Sequence, residues 1–239
     1  RLHRQLLEKY AQEIVETFHL IGQAVGAKEL VIGIKKAYTK TIDALNGVIG
    51  AYPEVRLGLL DEVYPAGDEV VLIYEVTGKV VRPGGLPIES GVAVFNVETI
   101  YNVWRAMNQQ TPVVDKLVSV VAEVEHPVTV RVPIGTTIEE VVALAGGTTV
   151  KDPVYFIGGP MMGFAMVTLD APVTKTSSSI LAFQKDEAAE AKETACINCG
   201  RCVEVCPSRI IPSRLADLSE RHNEEGFVKM NGLECVECG

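Results

Sequence analysis

The cysteines of this chain lie in two short runs near its carboxyl end. They are Cys196, Cys199, Cys202 and Cys206 in the first run, and Cys235 and Cys238 in the second. Two gaps of two residues, a gap of three residues and a proline after the fourth cysteine form the spacing of bacterial ferredoxins. In that pattern three cysteines bind one [4Fe–4S] cluster, and the fourth binds a second cluster. The spacing therefore predicts two iron–sulfur clusters and electron transfer.

The expected division of ligands leaves both clusters incomplete in this sequence. The first cluster would be bound by Cys196, Cys199 and Cys202. The second would be bound by Cys206, Cys235 and Cys238, and the second run stops at Gly239. We therefore expect the sequence to be part of a longer polypeptide, and a protein ending at Gly239 to bind its clusters poorly or not at all.

Zinc and disulfides are the alternative uses of these cysteines. Structural zinc sites present two CxxC pairs separated by a spacer, without a third cysteine and a closing Cys-Pro in the same run. Disulfide frameworks belong to secreted chains, and the amino terminus shows no signal-peptide pattern. Both alternatives are weaker than the cluster interpretation.

Composition limits the kinds of partner. The chain has 239 residues, 47% hydrophobic residues and a formal charge of −9, which suggests a globular protein of about two domains. An acidic chain lacks the basic face that nucleic acid requires. No stretch approaches the roughly 20 apolar residues of a membrane span. We therefore expect no nucleic-acid binding and no direct membrane insertion, so that any work at a membrane would pass through a partner.

The amino-terminal part alternates between helical and strand patterns. Apolar residues at helical intervals predict one amphipathic helix over Leu2–Val25, with Gly26 as its stop. A strand over Glu29–Ile34, a helix over Thr41–Ile49 and a strand over Val55–Leu59 follow. This order implies a parallel sheet with crossover helices in an open α/β domain. We find no glycine-rich phosphate loop, and we expect the start of this domain to be missing.

A second module follows Met107. Two strands are predicted over Lys116–Val124 and Val128–Pro133, then a capping box at Thr136–Glu139 that opens a short helix, and a strand over Val154–Ile157. These elements form a small α+β module. The glycine-rich stretch Gly158–Gly163 resembles a phosphate cradle, but it lacks the GxGxxG register, which favours a tight turn.

Two further segments complete the assignment. Thr168–Glu193 is interpreted as a crossing segment followed by a helix. Between the two cysteine runs, Ser213–His222 is predicted to be helical, with turns at Gly226 and at Asn231-Gly232.

Three segments together resemble a known family: Tyr-Pro-Ala-Gly-Asp-Glu at Tyr64–Glu69, Asn-Val-Glu-Thr at Asn96–Thr99, and the ferredoxin cysteines. They are similar to the flavin- and NADH-binding subunit of respiratory complex I, and more closely to the RnfC subunit of Rnf-type electron transport complexes and the propanediol-utilisation cobalamin reductase. The resemblance implies an α/β fold with four parts. These are a Rossmann-like FMN/NADH-domain remnant at 1–111, a β-grasp soluble-ligand-binding module at 112–168, a linker at 169–192, and a mainly helical two-cluster ferredoxin domain at 193–239.

The resemblance also implies a set of FMN contacts, carried over position by position. They are Tyr64, Gly67, Asp68 and Glu69 in one loop, and Asn96 and Thr99 in one turn. The family has a glutamate at the position of Asp68 and an asparagine at the position of Phe95. The side chain of Asp68 is shorter and reaches less far toward a nicotinamide, and Phe95 cannot make the amide contact of the asparagine. The residues alone leave a plainer alternative open: an ordinary turn, and a helix capped by Asn96.

Three functional hypotheses follow from the resemblance. In the first, the protein is an NADH-dependent flavin and iron–sulfur oxidoreductase that delivers electrons to an acceptor such as cobalamin or a membrane redox complex. In the second, it is a non-catalytic iron–sulfur relay. In the third, it is a module that binds a corrinoid or a partner protein. The implied location is cytoplasmic, either peripheral to a membrane complex or inside a bacterial microcompartment.

Overall fold

The computed structural model describes residues 2–185 and 194–239. Its contacts divide the chain into two compact units. The first contains Arg1–Ile32, Ala37–Leu57 and Phe95–Glu190, and the second contains Gly33–Lys36, Gly58–Val94 and Ala191–Gly239. No helix among the described residues is long and apolar enough to cross a membrane. The predicted domain boundaries are not tested by this division and stay predictions.

The first predicted helix is divided in two. Helix α1 spans Leu2–Lys9 and helix α2 spans Ala11–Val25. Tyr10 separates them at φ −128° and ψ 37°, outside helical values, and its ring lies 4.5 Å from that of Tyr101. The aromatic contact accompanies a local break that the apolar pattern did not reveal. Gly26 ends α2 at φ 66°, in the left-handed region that favours glycine.

A pair of strands with a helical crossover follows. Strand β1 spans Leu30–Lys35, helix α3 spans Thr39–Ile49 and strand β2 spans Val55–Leu60, close to the predicted bounds. The Leu30 amide donates to the Glu54 carbonyl (3.1 Å) near one end of the pair, and an amide directly after β1 donates to the end of β2 (2.9 Å). The residue bonded later in β1 therefore has its partner later in β2, so the two strands run in the same direction. A parallel pair is what the helical crossover between them requires.

Two helices come next. Helix α4 spans Glu69–Thr77 and helix α5 spans Val97–Gln109, with a 3₁₀ turn at Pro87–Ser90 between them. A side chain caps the first turn of each helix. The cap fixes the path of the backbone where the helix begins.

The carboxyl half of the first unit contains a five-stranded mixed sheet. Its strands are β3 (Asp115–Ala122), β4 (Val128–Pro133), β5 (Val154–Ile157), β6 (Phe164–Ala165) and β7 (Ser179–Phe183). The spatial order is β4-β3-β7-β5-β6. Strand β7 is parallel to β3 and antiparallel to β5, so the last strand of the sequence lies at the centre of the sheet.

The sequence did not predict strand β7. It lies inside the 169–192 segment predicted to be a linker, and inside the stretch interpreted as a crossing segment with a helix. Its Ile180 and Ala182 are fully buried in the core, yet a strand of five residues after a serine run gives little periodic signal. The predicted helix in the Ala/Glu-rich stretch falls largely on residues 186–193, outside the described residues.

Helix α6 spans Ile138–Ala143 and covers this sheet. Its capping box pairs Thr137 with Glu140, one residue later than predicted, because the buried Ile138 must be the first helical residue. Ile138 packs with Val118, Val141 and other fully buried side chains in the core of the sheet.

The glycine-rich stretch Gly158–Gly163 forms the turn of the β5–β6 hairpin. The Gly163 amide donates to the Gly159 carbonyl (2.8 Å), and Gly158 has φ +105°, where a side chain is strained. The turn interpretation is therefore confirmed.

The cysteine-bearing segment contains three short helices. Helices α7 (Arg201–Val205), α8 (Pro212–Glu220) and α9 (Glu224–Lys229) are followed by a 3₁₀ turn at Gly232–Glu234. The predicted helix before His222 and the turn at Asn231 are confirmed. The predicted turn at Gly226 is wrong, because this glycine lies inside α9. A side chain there would come within 2.9 Å of Leu218 on α8, so packing between the two helices explains the glycine.

Candidate functional site

The loop between β2 and α4 carries four of the six predicted flavin contacts. Tyr64 is 54% exposed, whereas Ala66 is buried and anchors the loop. The Tyr64-Pro65 peptide is cis. Gly67 is exposed, and a side chain added there would meet nothing within 4 Å. The loop therefore presents a tyrosine ring and an open stretch of backbone on the second unit, a surface that a planar ring can approach.

Asp68 is the N-cap of α4. Its carboxylate accepts hydrogen bonds from the amides of Val70 (3.0 Å) and Val71 (3.2 Å), two of the donors that a helix start leaves unpaired. Glu69 follows at the first helical position and is exposed. Since capping uses one oxygen of Asp68, Glu69 is the less committed carboxylate of the loop.

Asn96 caps α5 in the same way. Its Oδ1 accepts from the Glu98 amide (2.9 Å), while Asn96 and Thr99 both lie exposed. The plainer interpretation of this turn, a capped helix start, describes what the backbone does here. Capping occupies only Oδ1 and leaves the amide nitrogen available to a ligand. These two residues belong to the first unit, whereas the Tyr64–Glu69 loop belongs to the second.

A buried ion pair beside Asn96 was not predicted. Glu98 and Lys116 form a salt bridge, with side chains only 7% and 11% exposed. The Leu117 amide also donates to Glu98 (3.4 Å). The pair joins the start of α5 to β3. A signal was present in the sequence, since Glu98 shares a helix face with the buried Tyr101 and Arg105, three and seven residues later.

A second pair extends this contact. Both terminal nitrogens of Arg105 donate to the Asp115 carboxylate, at 2.7 and 2.8 Å. These hydrogen bonds hold the pKa of Asp115 below its usual value of 3.8. Arg131 of β4 donates to the Tyr101 hydroxyl (3.2 Å). Helix α5 is thereby fixed to the five-stranded sheet by charged and aromatic groups.

All six cysteines are free thiols, and each is exposed or half-buried. Within 2–185 and 194–239, no three histidine, cysteine or acidic side chains lie close enough together to hold a metal ion. The cysteines are therefore available as ligands without being gathered around a centre.

The two CxxC loops share one backbone conformation. Asn198 and Glu237 occupy the third position of their loops and have φ 56° and φ 50°. Gly200 and Gly239, two residues later, have φ 78° and φ 97°. Left-handed values are uncommon for residues other than glycine, so their recurrence at matched positions marks two copies of one loop.

This conformation suits sulfur ligands. In the first loop the Asn198 amide donates to the sulfur of Cys196 (3.4 Å), and amide hydrogen bonds to sulfur are one means by which proteins tune iron–sulfur clusters. Free thiols, the ferredoxin spacing and a repeated loop form together make the donor set fit [4Fe–4S] clusters. Three cysteines would hold each cluster, in the division that the spacing predicts.

Two hydroxyl groups bracket the second cysteine run. The Ser208 hydroxyl, close after the first run, donates to the Glu234 carbonyl (2.6 Å). The Tyr64 hydroxyl donates to the Cys238 carbonyl. Ser208 thus holds the start of the second run, and Tyr64 of the predicted flavin loop holds its end. All of these residues belong to the second unit.

Family comparisons divide the chain into three matches. Residues 1–105 match the Nuo51 FMN-binding domain, residues 117–165 match the SLBB domain, and residues 189–239 match the 4Fe-4S dicluster domain. The predictions of FMN and [4Fe–4S] clusters as the cofactors are confirmed at this level. The individual flavin contacts and cysteine assignments remain predictions.

Two curated proteins illustrate the similarity of this chain to known proteins. The cobalamin reductase PduS of Citrobacter freundii is 38% identical over 256 residues, which include 100% of this chain and 56% of that protein. One subunit of the proton-translocating ferredoxin:NAD(+) oxidoreductase complex of Clostridium ljungdahlii is 34% identical, over 92% of this chain and 48% of the relative. The chain thus spans about half the length of these curated relatives.

A solved structure shares the fold. The NAD+-reducing [NiFe]-hydrogenase in its H2-reduced state matches 76% of this chain and 37% of its own chain, with a TM-score of 0.61 and 23% sequence identity. The architecture is mixed α/β and is one that solved proteins already show.

Proposed function

We propose that this chain, which belongs to the family of cobalamin reductase PduS and the RnfC subunit, is part of an NADH-dependent flavin and iron–sulfur oxidoreductase. The observation that carries the proposal is the repeated CxxC loop, with its left-handed residues at matched positions, in a chain whose amino-terminal part matches an FMN-binding domain. Bound FMN supplies the exchange between hydride transfer and single-electron transfer. The protein supplies position and electrostatic surroundings.

The fold proposal follows the same division. We assign 1–111 to a Rossmann-like FMN/NADH domain, a view supported by the parallel β1–β2 pair with its α3 crossover. We assign the module from 112 to a β-grasp domain, a view supported by the mixed sheet under α6. The segment from 193 is assigned to a two-cluster ferredoxin domain, in line with its three short helices.

Four groups have surfaces suited to flavin or nucleotide. The exposed Tyr64 ring offers a stacking face, and the open backbone at Gly67 admits close approach. The Asn96 amide nitrogen can donate to a flavin edge while its oxygen caps α5. The exposed carboxylate of Glu69 can accept hydrogen bonds from ribose hydroxyls. Asp68 and Thr99 complete the proposed set, with Asp68 acting mainly through the cap that orients α4.

Partners and location are proposed from the relatives' names. An acceptor in the cobalamin system is consistent with similarity to cobalamin reductase PduS, and a membrane redox complex is consistent with similarity to one subunit of an ion-translocating complex. The protein would then work in the cytoplasm, either peripheral to such a complex or inside a bacterial microcompartment.

One observation favours the relay as a second candidate. Asp68 and Asn96, one polar residue from each predicted flavin segment, both serve as helix caps. A protein that had lost its flavin would keep both residues for that purpose. In that case only the cysteine runs would carry electrons.

An absorption spectrum of the anaerobically purified full-length protein separates the candidates. We expect flavin absorption near roughly 450 nm that bleaches on addition of NADH, and about eight irons per chain. Iron without flavin, and no response to NADH, would establish the relay instead. A colourless protein after cluster reconstitution would refute both.

Two conservative variants test the flavin contacts apart from the caps. Asn96→Asp keeps an oxygen that caps α5 but removes the amide donor, and Asp68→Asn keeps the α4 cap but removes the charge. We expect Asn96→Asp to reduce FMN content with little change in thermal stability. Asp68→Asn should retain FMN. Equal FMN content in Asn96→Asp and wild type would remove Asn96 from the proposed site.

A further inference from the structure

The hydroxyl of Tyr64 joins two parts of the second unit that lie far apart in sequence. It donates to the Cys238 carbonyl across 174 residues of chain. The same residue opens the predicted flavin loop, and Cys238 is the last cysteine of the second run. The Tyr64 side chain is 54% exposed, but its hydroxyl is hydrogen-bonded to the backbone of a residue that could bind a cluster.

The second run needs such support. Glu237, directly before Cys238, has φ 50°, a conformation that is unfavourable for residues with a side chain. Carbonyl hydrogen bonds from Ser208 (to Glu234, 2.6 Å) and from Tyr64 fix peptide units at both ends of the run. A short loop with both ends fixed loses less entropy when its thiols bind a ligand.

We infer that Tyr64 is a positioning residue that anchors the second cysteine run to the flavin loop, and that the cluster held by Cys206, Cys235 and Cys238 is consequently the direct electron acceptor from the flavin. The inference deepens the proposed function and rests on it. In each transfer the reduced flavin would lose one electron and the oxidised cluster would gain it, without any covalent bond being made or broken. NADH is the two-electron source.

The variant Tyr64→Phe removes the hydroxyl and keeps the ring. Tyr74→Phe is the matched control, because Tyr74 lies on α4 in the same unit and is 57% exposed. Both variants are made in the full-length protein. Flavin content is measured in all three proteins, so that effects on the clusters are compared at equal flavin occupancy.

The first measurement needs no cofactor. In apo protein, the alkylation rate of Cys238 by iodoacetamide is followed by mass spectrometry and divided by that of Cys196. We expect Tyr64→Phe to raise this ratio about fivefold, the factor that corresponds to loss of a typical hydrogen bond, and Tyr74→Phe to leave it unchanged. Equal ratios in Tyr64→Phe and wild type would overturn the anchor.

The second measurement uses the reconstituted protein. Electron paramagnetic resonance during a redox titration gives the potentials of both clusters, with the second cluster identified as the signal lost in Cys235→Ser. We expect Tyr64→Phe to shift the potential of the second cluster alone and to slow its reduction after mixing with NADH. Reduction of the first cluster before the second in wild type would overturn the acceptor assignment.

Failure of the proposed function gives a different pattern. Wild-type protein that holds both clusters but no flavin would refute the NADH-dependent oxidoreductase and, with it, the acceptor role. The alkylation ratio would still decide whether Tyr64 anchors the run. A protein with flavin and normal NADH bleaching, but no effect of Tyr64→Phe on either measurement, would refute the inference alone.

Discussion

Removing the cation of the buried Glu98–Lys116 pair should strongly destabilise the protein. Lys116→Met keeps most of the side-chain volume but removes the ion-pair partner of the Glu98 carboxylate, which keeps a long hydrogen bond from the Leu117 amide at 3.4 Å. Both side chains are nearly inaccessible, at 7% and 11% exposure. A buried charge left without its partner costs about 3 to 5 kcal/mol, so the free energy of unfolding should fall by that amount.

Thermal unfolding followed by circular dichroism measures the effect. For a chain of this size each kcal/mol corresponds to about 2 to 4 °C, so Lys116→Met should melt at least roughly 6 °C below wild type. The control is Lys229→Met, which breaks the Lys229–Glu225 pair whose side chains are 73% and 81% exposed. An exposed pair of this kind contributes about 0.5 kcal/mol or less.

The double variant Glu98→Gln/Lys116→Met tests whether the unpaired charge causes the loss of stability. Because it removes both charges, it should be more stable than Lys116→Met alone. A Lys116→Met protein that melts within about 2 °C of wild type, as the exposed control is expected to, would refute the reasoning. So would a double variant no more stable than Lys116→Met.

Three further predictions concern packing, pH and capping. Gly163→Ala should destabilise the protein by about 1 to 3 kcal/mol in chemical denaturation, because the new Cβ would lie 2.4 Å from the Gly159 carbonyl oxygen, whereas Gly159→Ala meets nothing within 4 Å and should be nearly neutral. Hydrogen bonds from Arg105 lower the pKa of Asp115 below 3.8, so the stability they contribute is present above this pH and is lost as the pH falls through the lowered value; Asp115→Asn should flatten the acid side of a plot of unfolding free energy against pH, and an unchanged slope would contradict this. Asp68→Ala should cost about 1 kcal/mol through loss of the α4 cap, and Asp68→Asn a few tenths; equal melting temperatures for these two variants would contradict the capping role.

Hydrophobic periodicity was sufficient for most of the fold. The strands β1 to β5 and helices α3 and α8 lie within a few residues of their predicted bounds, because each has one face that must be buried. Periodicity failed where contacts between residues far apart in the sequence determine the local structure. The break at Tyr10 accompanies a ring on α5, and Gly226 is needed by a neighbouring helix.

The residues of the candidate site were predicted from other kinds of information. Spacing alone predicts the cysteines as cluster ligands, because cluster geometry limits the intervals. The resemblance predicts the flavin segments, but it could not tell that Asp68 and Asn96 cap helices. The helical spacing of Glu98 indicates that it is buried, but its partner Lys116, like the contact of Tyr64 with Cys238, is known only from the folded chain.

The position of β7 also has a consequence for synthesis of the protein on the ribosome. Because the central strand of the sheet is translated last, the hairpin halves β3–β4 and β5–β6 emerge with unpaired edges and wait for Ser179–Phe183 to join them. Exposed strand edges recruit other chains. A polypeptide cut after Thr168, at the predicted end of this module, would keep those edges permanently and should aggregate, whereas one that extends past Phe183 can close the sheet and remain monodisperse.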